Sequence, residues 1–321
     1  MSAFRLTGII GTSAAMRELL NVLPRVAQTD TVLLTGESGT GKELVARAIS
    51  AASRRASRPF VSVGCAALPE QLLENELFGH VKGAFTGAQS ARRGLLEEAH
   101  TGTFFLDEIG EASNSIQTKL LRVLEERSLR RLGDNRSVPI DVRIIAATNR
   151  DLENAVQEKT FREDLLYRLN VIRLHLPPLR ERMDDVPLLA RHFLVLHCRR
   201  LDRRVDGFAP EVLTTLQRYS YPGNVRELSN IIERAVALAP GSRIELRDLP
   251  DLLHRPSPRT NPTAEAPPPT PSLPEPYSGN EQERLLGALR DTNWNVSRAA
   301  ARLGISRNTI RYRMEKYGLH P

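Results

Sequence analysis

The sequence predicts an α/β fold on a parallel central sheet, followed by a helical region and a separate small all-α domain. Three observations carry that prediction. Over residues 1–176, short apolar runs alternate with helical patterns: TVLLTG then KELVARAIS, FVSV then ALPEQLLENELFG, GTFFLDEIG then SIQTKLLRVLEE, VRIIAATN then DLENAVQ. Strands alternating with helices pair in parallel, with helices on both faces. Over residues 177–254 the strands stop, and helical segments such as VPLLARHFLVLHCRR and VRELSNIIERAVALA read as a helical lid. Between Pro256 and Pro276 lie nine of the chain's 21 prolines. That density excludes a helix or ladder, and the apolar content is too low to offset the entropy of ordering. Residues 255–278 are therefore an extended linker, and 279–321 form the last domain.

Bulk properties narrow the class. The 321 residues suffice for two or three domains, and 40% apolar with 26% charged residues is ordinary for a globular protein. No apolar run approaches the ~20 residues of a membrane span, and MSAFRLTGIIGTS is not a secretory signal. A cytoplasmic protein without membrane insertion is expected. Cys65 and Cys198 offer neither a disulfide framework nor a metal-ligand spacing, so they read as idle thiols in a reducing compartment. The net charge of +7 is compatible with a polyanionic partner.

The chemistry begins at GESGTGKE, which comprises Gly36, Glu37, Ser38, Gly39, Thr40, Gly41, Lys42 and Glu43. It follows a predicted strand and opens a predicted helix, the context a phosphate-binding loop requires. Glycines let backbone N–H groups turn inward around phosphates, the helix N-terminus adds partial positive charge, and Lys42 reaches the terminal phosphates of ATP. The Ser/Thr that usually follows the lysine as a magnesium ligand is here Glu43. A second apolar strand ends in Asp107 and Glu108. Two carboxylates there are costly unless they meet a cation or donors. Asp107 suits Mg2+, directly or through water, and Glu108 suits polarising the attacking water. A third strand ends in Thr148 and Asn149. Ligands of open α/β sheets bind at such carboxyl ends.

The C-terminal segment NVSRAAARLGISRNTIRYRMEKYGLH has a helix-turn-helix pattern. Val296, Ala299, Ala300 and Leu303 form an apolar stripe, Gly304 permits the turn, and Ser306 can cap the next helix. Ile310 and Met314 point inward, leaving Arg307, Asn308, Arg311 and Arg313 on other faces. Residues 281–321 hold eight Lys/Arg against four acids, a local excess suited to double-stranded DNA. Arg307, Asn308 and Arg311 are assigned to bases, with the flanking Arg313 suited to phosphate. Leu285, Leu286 and Leu289 read as core and dimer contacts.

From Ile10 to His320 the chain resembles the AAA+ activators of sigma-54 RNA polymerase, the NtrC-type enhancer-binding proteins. The most specific element is GAFTGA: Gly83, Ala84, Phe85, Thr86, Gly87 and Ala88. In that family this loop touches sigma-54 and transmits nucleotide-driven movement, which makes Phe85 and Thr86 the leading contact residues. Ile10, with Ile9 and Gly11, resembles the strip near adenine, and Thr148 and Asn149 resemble sensor I. FREDLLYRL carries Arg162 and Arg168 at a helical i, i+6 spacing, similar to arginine fingers that reach a neighbour's nucleotide. YPGNVREL resembles sensor II, with Arg226 over the phosphates.

The resemblance implies an AAA+ P-loop ATPase with a helical lid and a Fis-type domain. It implies assembly from dimer to hexameric ring on DNA upstream of promoters, and ATP-driven opening of the closed complex of sigma-54 RNA polymerase holoenzyme. The alternatives are a TyrR-like AAA+ regulator that does not act through sigma-54, a different AAA+ machine, and a non-enzymatic DNA-binding protein. The intact GAFTGA, the terminal helix-turn-helix, and Lys42 with Asp107 and Glu108 weigh against these in turn. Two departures stand out: Gly64 occupies a position usually held by Asn, which can restrain the catalytic glutamate, and Tyr221 replaces the usual Trp, keeping an aromatic surface. Because the resembling core starts by Ile10, control in trans is expected, by a separate regulatory protein or by expression level.

Overall fold

A computed structural model of the chain describes residues 8–85, 88–253, 281–292 and 294–303, with 309–310, 313–314, 317 and 319. Two compact units meet between Pro258 and Arg259, and each is described by itself. The linker expected at 255–278 lies outside the described residues.

The first unit opens with α1 (Ala14–Val26), β1 (Thr31–Thr35), α2 (Lys42–Ala51) and β2 (Phe60–Gly64). Next come α3 (Glu70–Phe78), β3 (Gly79–His80), β4 (Arg92–Arg93), α4 (Leu95–Glu98), β5 (Thr103–Asp107) and α5 (Asn114–Glu126). After β6 (Ser128–Arg130) and β7 (Ser137–Pro139) the chain forms β8 (Arg143–Thr148), α6 (Leu152–Gln157), α7 (Glu163–Leu169) and β9 (Arg173–His175). The main sheet is parallel in the order β2-β5-β8-β1-β9.

Why the strands read as continuous apolar runs follows from their burial on both faces. Successive side chains alternate across the sheet. Phe104, Leu106, Ile144 and Ala146 join one core with Leu77 of α3 and Ile116 and Leu120 of α5. Phe105, Ile145 and Ala147 face the other way, with Leu19 and Leu23 of α1 and Val45 and Ile49 of α2. All four strands and all four helices expected from the alternating pattern are present. The edge strand β9 was not expected; only Leu174 of its three residues is buried. Arg143, at the start of β8, is buried between helix ends and donates to the Val26 carbonyl at 2.9 Å and the Ile49 carbonyl at 3.5 Å.

The lid comprises α8 (Val186–Arg200), β10 (Gly207–Phe208), α9 (Pro210–Leu216), α10 (Asn224–Leu238) and β11 (Arg243–Ile244). The expectation that strands end before this region is corrected by β10 and β11, which form a two-residue parallel pair, too short to leave a periodic signal. Leu228, Ile231, Ile232, Ala235 and Val236 recur at helical spacing and bury one stripe of α10 against Leu189, Val212 and Leu216. Tyr221 is not a surface aromatic: it is fully buried, and its hydroxyl donates to the Leu216 carbonyl at 2.8 Å.

In the second unit, α11 (Glu281–Asp291) and α12 (Val296–Leu303) pack through Leu285, Ala288, Leu289, Ala299, Ala300 and Ile310. Val296, Leu303 and Met314 are partly buried beside them. The apolar stripe lies where the sequence puts it.

Two outcomes test this packing. Tyr221→Phe leaves the Leu216 carbonyl without its donor and is expected to destabilise the lid by about 1 kcal/mol, read by denaturant unfolding. Cys65 is buried, and burial, with the nearby carboxylates of Asp107 and Glu108, pushes its thiol up to about 12. A thiol reagent at pH 8 should label Cys65 only after unfolding; rapid labelling in the native protein, located by peptide mapping, would contradict the assignment.

Candidate functional site

The loop between β1 and α2 is shaped by positive-φ glycines. Gly39 has φ 79°, and a Cβ there would lie inside van der Waals contact of the Gly223 carbonyl oxygen. Gly36 has φ 147°, and a Cβ there would stand 2.6 Å from the Leu176 oxygen. Only glycine accommodates both the dihedral and the approach. Gly41, also left-handed, precedes the first turn of α2. Lys42 is buried and donates from Nζ to the carbonyls of Gly36 at 2.8 Å and Glu37 at 3.0 Å. Burial lowers its pKa, opposed by Asp107 and Glu108. Thr40 Oγ1 donates to the Glu37 carbonyl at 2.8 Å.

A cleft of about 320 Å³ opens beside this loop. It is lined by Ser38, Gly39, Gly41, Lys42 and Glu43 from the loop, by Asp107 and Glu108 from the end of β5, and by Arg226 from α10. Residues far apart in sequence thus meet at the carboxyl edge of a parallel sheet, as such topologies favour. Asp107 Oδ1 accepts from the Glu108 N–H at 3.0 Å. Glu108 itself has φ 55°, a left-handed conformation costing an L residue about 1–2 kcal/mol. Glu43, on the rim, forms an exposed pair with Arg47 at 2.7 Å. Arg226 Nη1 donates to Ser38 Oγ at 3.0 Å. Gly64 pairs in register with Asp107, and a Cβ there would touch only Ala67 Cβ at 3.5 Å. The backbone does not demand glycine at that position.

Thr148 is the register partner of Thr35, where the loop begins. It is fully buried, and its hydroxyl accepts from the Arg150 N–H at 3.0 Å. Asn149, the next residue, is exposed. Ile10 lies apart from the cleft, in a second cavity of about 80 Å³ with Ile9, Met16, Leu44, Phe193 and Val225. Its apolar walls suit a flat aromatic ring, and Thr40 and Gly41 connect it to the loop.

The expectation for Arg162 needs correction. It does not share a helix with Arg168: α7 starts at Glu163, and Arg162 is the extended residue before it. Its N–H donates to Gln117 Oε1 at 2.8 Å, and its guanidinium grips Asp164 at 3.0 and 2.6 Å. Arg168, in the last turn, lies 3.5 Å from Glu125. Both are substantially exposed and neither lines the cleft of its own chain.

At the other loop, β3 and β4 form an antiparallel stem. The Gly83 N–H donates to the Ala88 carbonyl at 2.9 Å, closing the turn. Phe85 is half exposed and meets His80 edge-on at 5.0 Å between centroids, whereas Ala88 is buried. Ala84 rests against Gly133, which follows β6. Thr86 and Gly87 lie outside the described residues, as do Arg307, Asn308 and Arg311; Arg313 is half-buried.

Three residues beside the cleft carry no signal in the sequence reading. Arg182 is buried, lines the cavity of Ile10, and donates from Nη2 to the Thr40 carbonyl at 2.9 Å. Its Nε has no partner. Arg180 and Asn224 both reach the Glu37 carboxylate. The only available clue was the proximity of Asn224 to Arg226 within YPGNVREL.

Comparison with known proteins agrees with this geometry. Residues 9–175 match the family described as the Sigma-54 interaction domain, 180–266 an AAA+ ATPase lid domain, and 280–317 the bacterial regulatory protein, Fis family. Among the relatives, Regulatory protein AtoC of Escherichia coli (strain K12) is 48% identical over 314 residues, covering 98% of this chain and 68% of that protein. Transcriptional regulatory protein ZraR of Klebsiella oxytoca is 50% identical over 304 residues, covering 94% and 67%. The formate hydrogenlyase transcriptional activator FhlA of Escherichia coli (strain K12) is 48% identical over 315 residues, covering 97% and 44%. Crystal structures of NtrX from Brucella abortus, in complex with ADP and with ATP, superpose with a TM-score of 0.72 at 35% identity, covering 97% of this chain and 70% of that one. The chain therefore belongs to the sigma-54 activator family, as an AAA+ ATPase joined to a Fis-type DNA-binding domain.

Proposed function

We propose that this protein is a cytoplasmic transcription activator that binds DNA upstream of promoters, assembles into a ring, and uses ATP hydrolysis to convert the closed sigma-54 polymerase complex to the open one. The observation that carries the reading is the cleft that gathers Lys42, Asp107, Glu108 and Arg226 in one chain while Arg162 and Arg168 stand outside it. A site so divided hydrolyses ATP well only when a second subunit supplies the arginines. A guanidinium arriving from a neighbour adds ~10³–10⁵ to phosphoryl-transfer rates.

On this reading the loop N–H groups of residues 36–43 and Lys42 hold the phosphates, with the base in the cavity of Ile10. Asp107, whose Oδ1 accepts from the Glu108 N–H, keeps further lone pairs at the phosphate end, so the residues present fit Mg2+, with Asp107 and water as its ligands. Bound there, the ion would neutralise phosphate charge as the bond breaks. Glu43 stands where a Ser/Thr ligand would usually follow the lysine, which shifts the metal's contacts toward Asp107 and water; its carboxylate pairs with Arg47 on the exposed rim. Glu108 orients and deprotonates the attacking water, Thr148 and Asn149 register the terminal phosphate, and Arg226 carries its presence to the lid. The loop of residues 83–88, with the half-exposed Phe85, contacts sigma-54. Arg307, Asn308, Arg311 and Arg313 contact DNA.

Each role has a separable readout. Lys42→Ala should abolish ATP binding, whereas Glu108→Ala should bind ATP normally and lose about 10²–10⁴-fold in kcat. Neither Lys42→Ala nor Arg162→Ala alone should hydrolyse ATP well, but mixing them should restore activity, because one keeps its fingers and the other its pocket. If mixing restores nothing, the arginines do not act in trans. Thr86→Ala should keep ATPase activity and lose open-complex formation with sigma-54 holoenzyme. A wild-type protein that hydrolyses ATP, binds DNA and opens no sigma-54 complex would favour the TyrR-like alternative.

A further inference from the structure

The start of α10 holds more than Arg226. Asn224, its first residue, is completely buried and has φ 53°, a conformation that Gly, Asn and Asp alone visit readily. Its side-chain amide is used in full. Oδ1 accepts from the Leu179 N–H at 2.7 Å, while Nδ2 donates to Glu37 Oε2 and to the Ser38 carbonyl, each at 3.0 Å. None of these partners belongs to α10. A helix-capping role would spend the side chain on its own helix, which carries no side-chain cap; Glu227 reaches back only to the Gly223 N–H, at 2.8 Å.

The partners of Asn224 converge. Glu37 is gripped from its other side by Arg180, which donates to both carboxylate oxygens at 2.9 and 2.7 Å. Arg180, and after it Asn224, hold the Glu37 carboxyl below the usual carboxylate range. One residue further along α10, the Val225 N–H donates to the Gly39 carbonyl at 3.0 Å. Next comes Arg226, on Ser38 Oγ. Three consecutive lid residues are thus registered against three consecutive residues of the loop.

We propose that Asn224 is a positioning residue of the ATPase, reading the conformation of the loop through Glu37 and Ser38 and fixing from it where Arg226 stands. It touches no phosphate; it acts through the residues that do. A shift of Ser38 as a nucleotide enters pulls on the Asn224 amide, and the rigid left-handed residue passes the shift to α10. The same amide holds Leu179, where the chain turns into the lid, so α10 and that turn move as one piece. The proposal rests on the loop of residues 36–43 being the phosphate-binding loop.

The test uses the whole chain and two readouts: affinity for a methylanthraniloyl-labelled ATP, and KM and kcat for hydrolysis. Asn224→Asp keeps the shape and the tolerance for positive φ but sets a second carboxylate against Glu37. It should weaken ATP binding about tenfold, as expected for contacting residues in one network. Adding Glu37→Gln restores a donor between the two side chains, though not the one to the Ser38 carbonyl, and the double variant should bind ATP more tightly than Asn224→Asp without reaching wild type. A residue that only supports the fold would lower the melting temperature and leave the KM of the folded protein unchanged. Glu37→Gln and Arg180→Ala, on exposed side chains, give a second arm that does not risk the fold; each should raise KM. Wild-type affinity in Asn224→Asp, a double variant no better than Asn224→Asp, or wild-type KM in both exposed variants would each overturn the proposal. Lys42→Ala separates it from its premise: if that variant binds ATP normally, the loop assignment itself fails and the positioning role of Asn224 with it. If Lys42→Ala fails to bind while Asn224→Asp binds as wild type, the positioning role alone is wrong.

Discussion

The close approach of the Gly39 backbone to Gly223 is the contact on which the rest of the site depends. A Cβ on Gly39 would collide with the Gly223 carbonyl, so the loop of residues 36–43 and the start of α10 meet backbone to backbone. Hydrogen bonds then run between them from Asn224, Val225 and Arg226 to Glu37, Ser38 and Gly39. Such a junction has few degrees of freedom. Its geometry is fixed by one main-chain bond, from the Val225 N–H to the Gly39 carbonyl, and by the buried Asn224 amide, with Arg226 and Arg180 adding side-chain bonds. A ligand that altered the loop would act on the lid through these bonds, the kind of contact by which a small local change can be passed to a larger element.

The parallel sheet supplies the second constraint. Its inner strands β1, β5 and β8 are buried on both faces, so polar side chains can stand only at their ends. Thr35, Asp107 and Thr148 do so at one edge, in neighbouring strands. That edge can gather phosphate-binding and carboxylate groups from one chain, but the fold places Arg162 and Arg168 elsewhere, just before α7 and in its last turn. Each already has a carboxylate partner, Asp164 and Glu125. Exposed pairs of this kind contribute little, about 0–1 kcal/mol, so exchanging such a partner for a neighbour's phosphate requires no large reorganisation.

Much of this was legible because it is encoded locally. The loop GESGTGKE, the paired acids after an apolar strand and the stripe of α12 each depend on spacing within about ten residues, the range over which periodicity is informative. What escaped depends on partners far away in sequence. Arg162 has a helical neighbourhood, yet Gln117 Oε1 captures its N–H from 45 residues away and holds the residue outside α7. Tyr221 reads as a surface aromatic beside Pro222 and Gly223, but its hydroxyl finds the Leu216 carbonyl and the ring becomes core. β9, β10 and β11 are too short for a pattern to form. Asn224 offers nothing to a pattern search, since its importance lies in a positive φ and in Glu37, 187 positions earlier.

Glu108 shows how backbone geometry can replace a side-chain restraint. The family resemblance leads one to expect an asparagine at position 64 to hold the glutamate, and the space for a side chain is there: a Cβ on Gly64 meets only Ala67 at ordinary contact distance. The sequence leaves that space empty. The glutamate nevertheless sits in a defined place, because its φ of 55° is held from both sides. Its N–H is tied to Asp107 Oδ1, and its carbonyl accepts from the Glu111 N–H at 2.9 Å. Strain of this kind persists only where the surroundings over-determine it. Gly64 offers no amide to turn the carboxylate aside, and the amide that shares the cleft with Glu108 is that of Asn230, from α10.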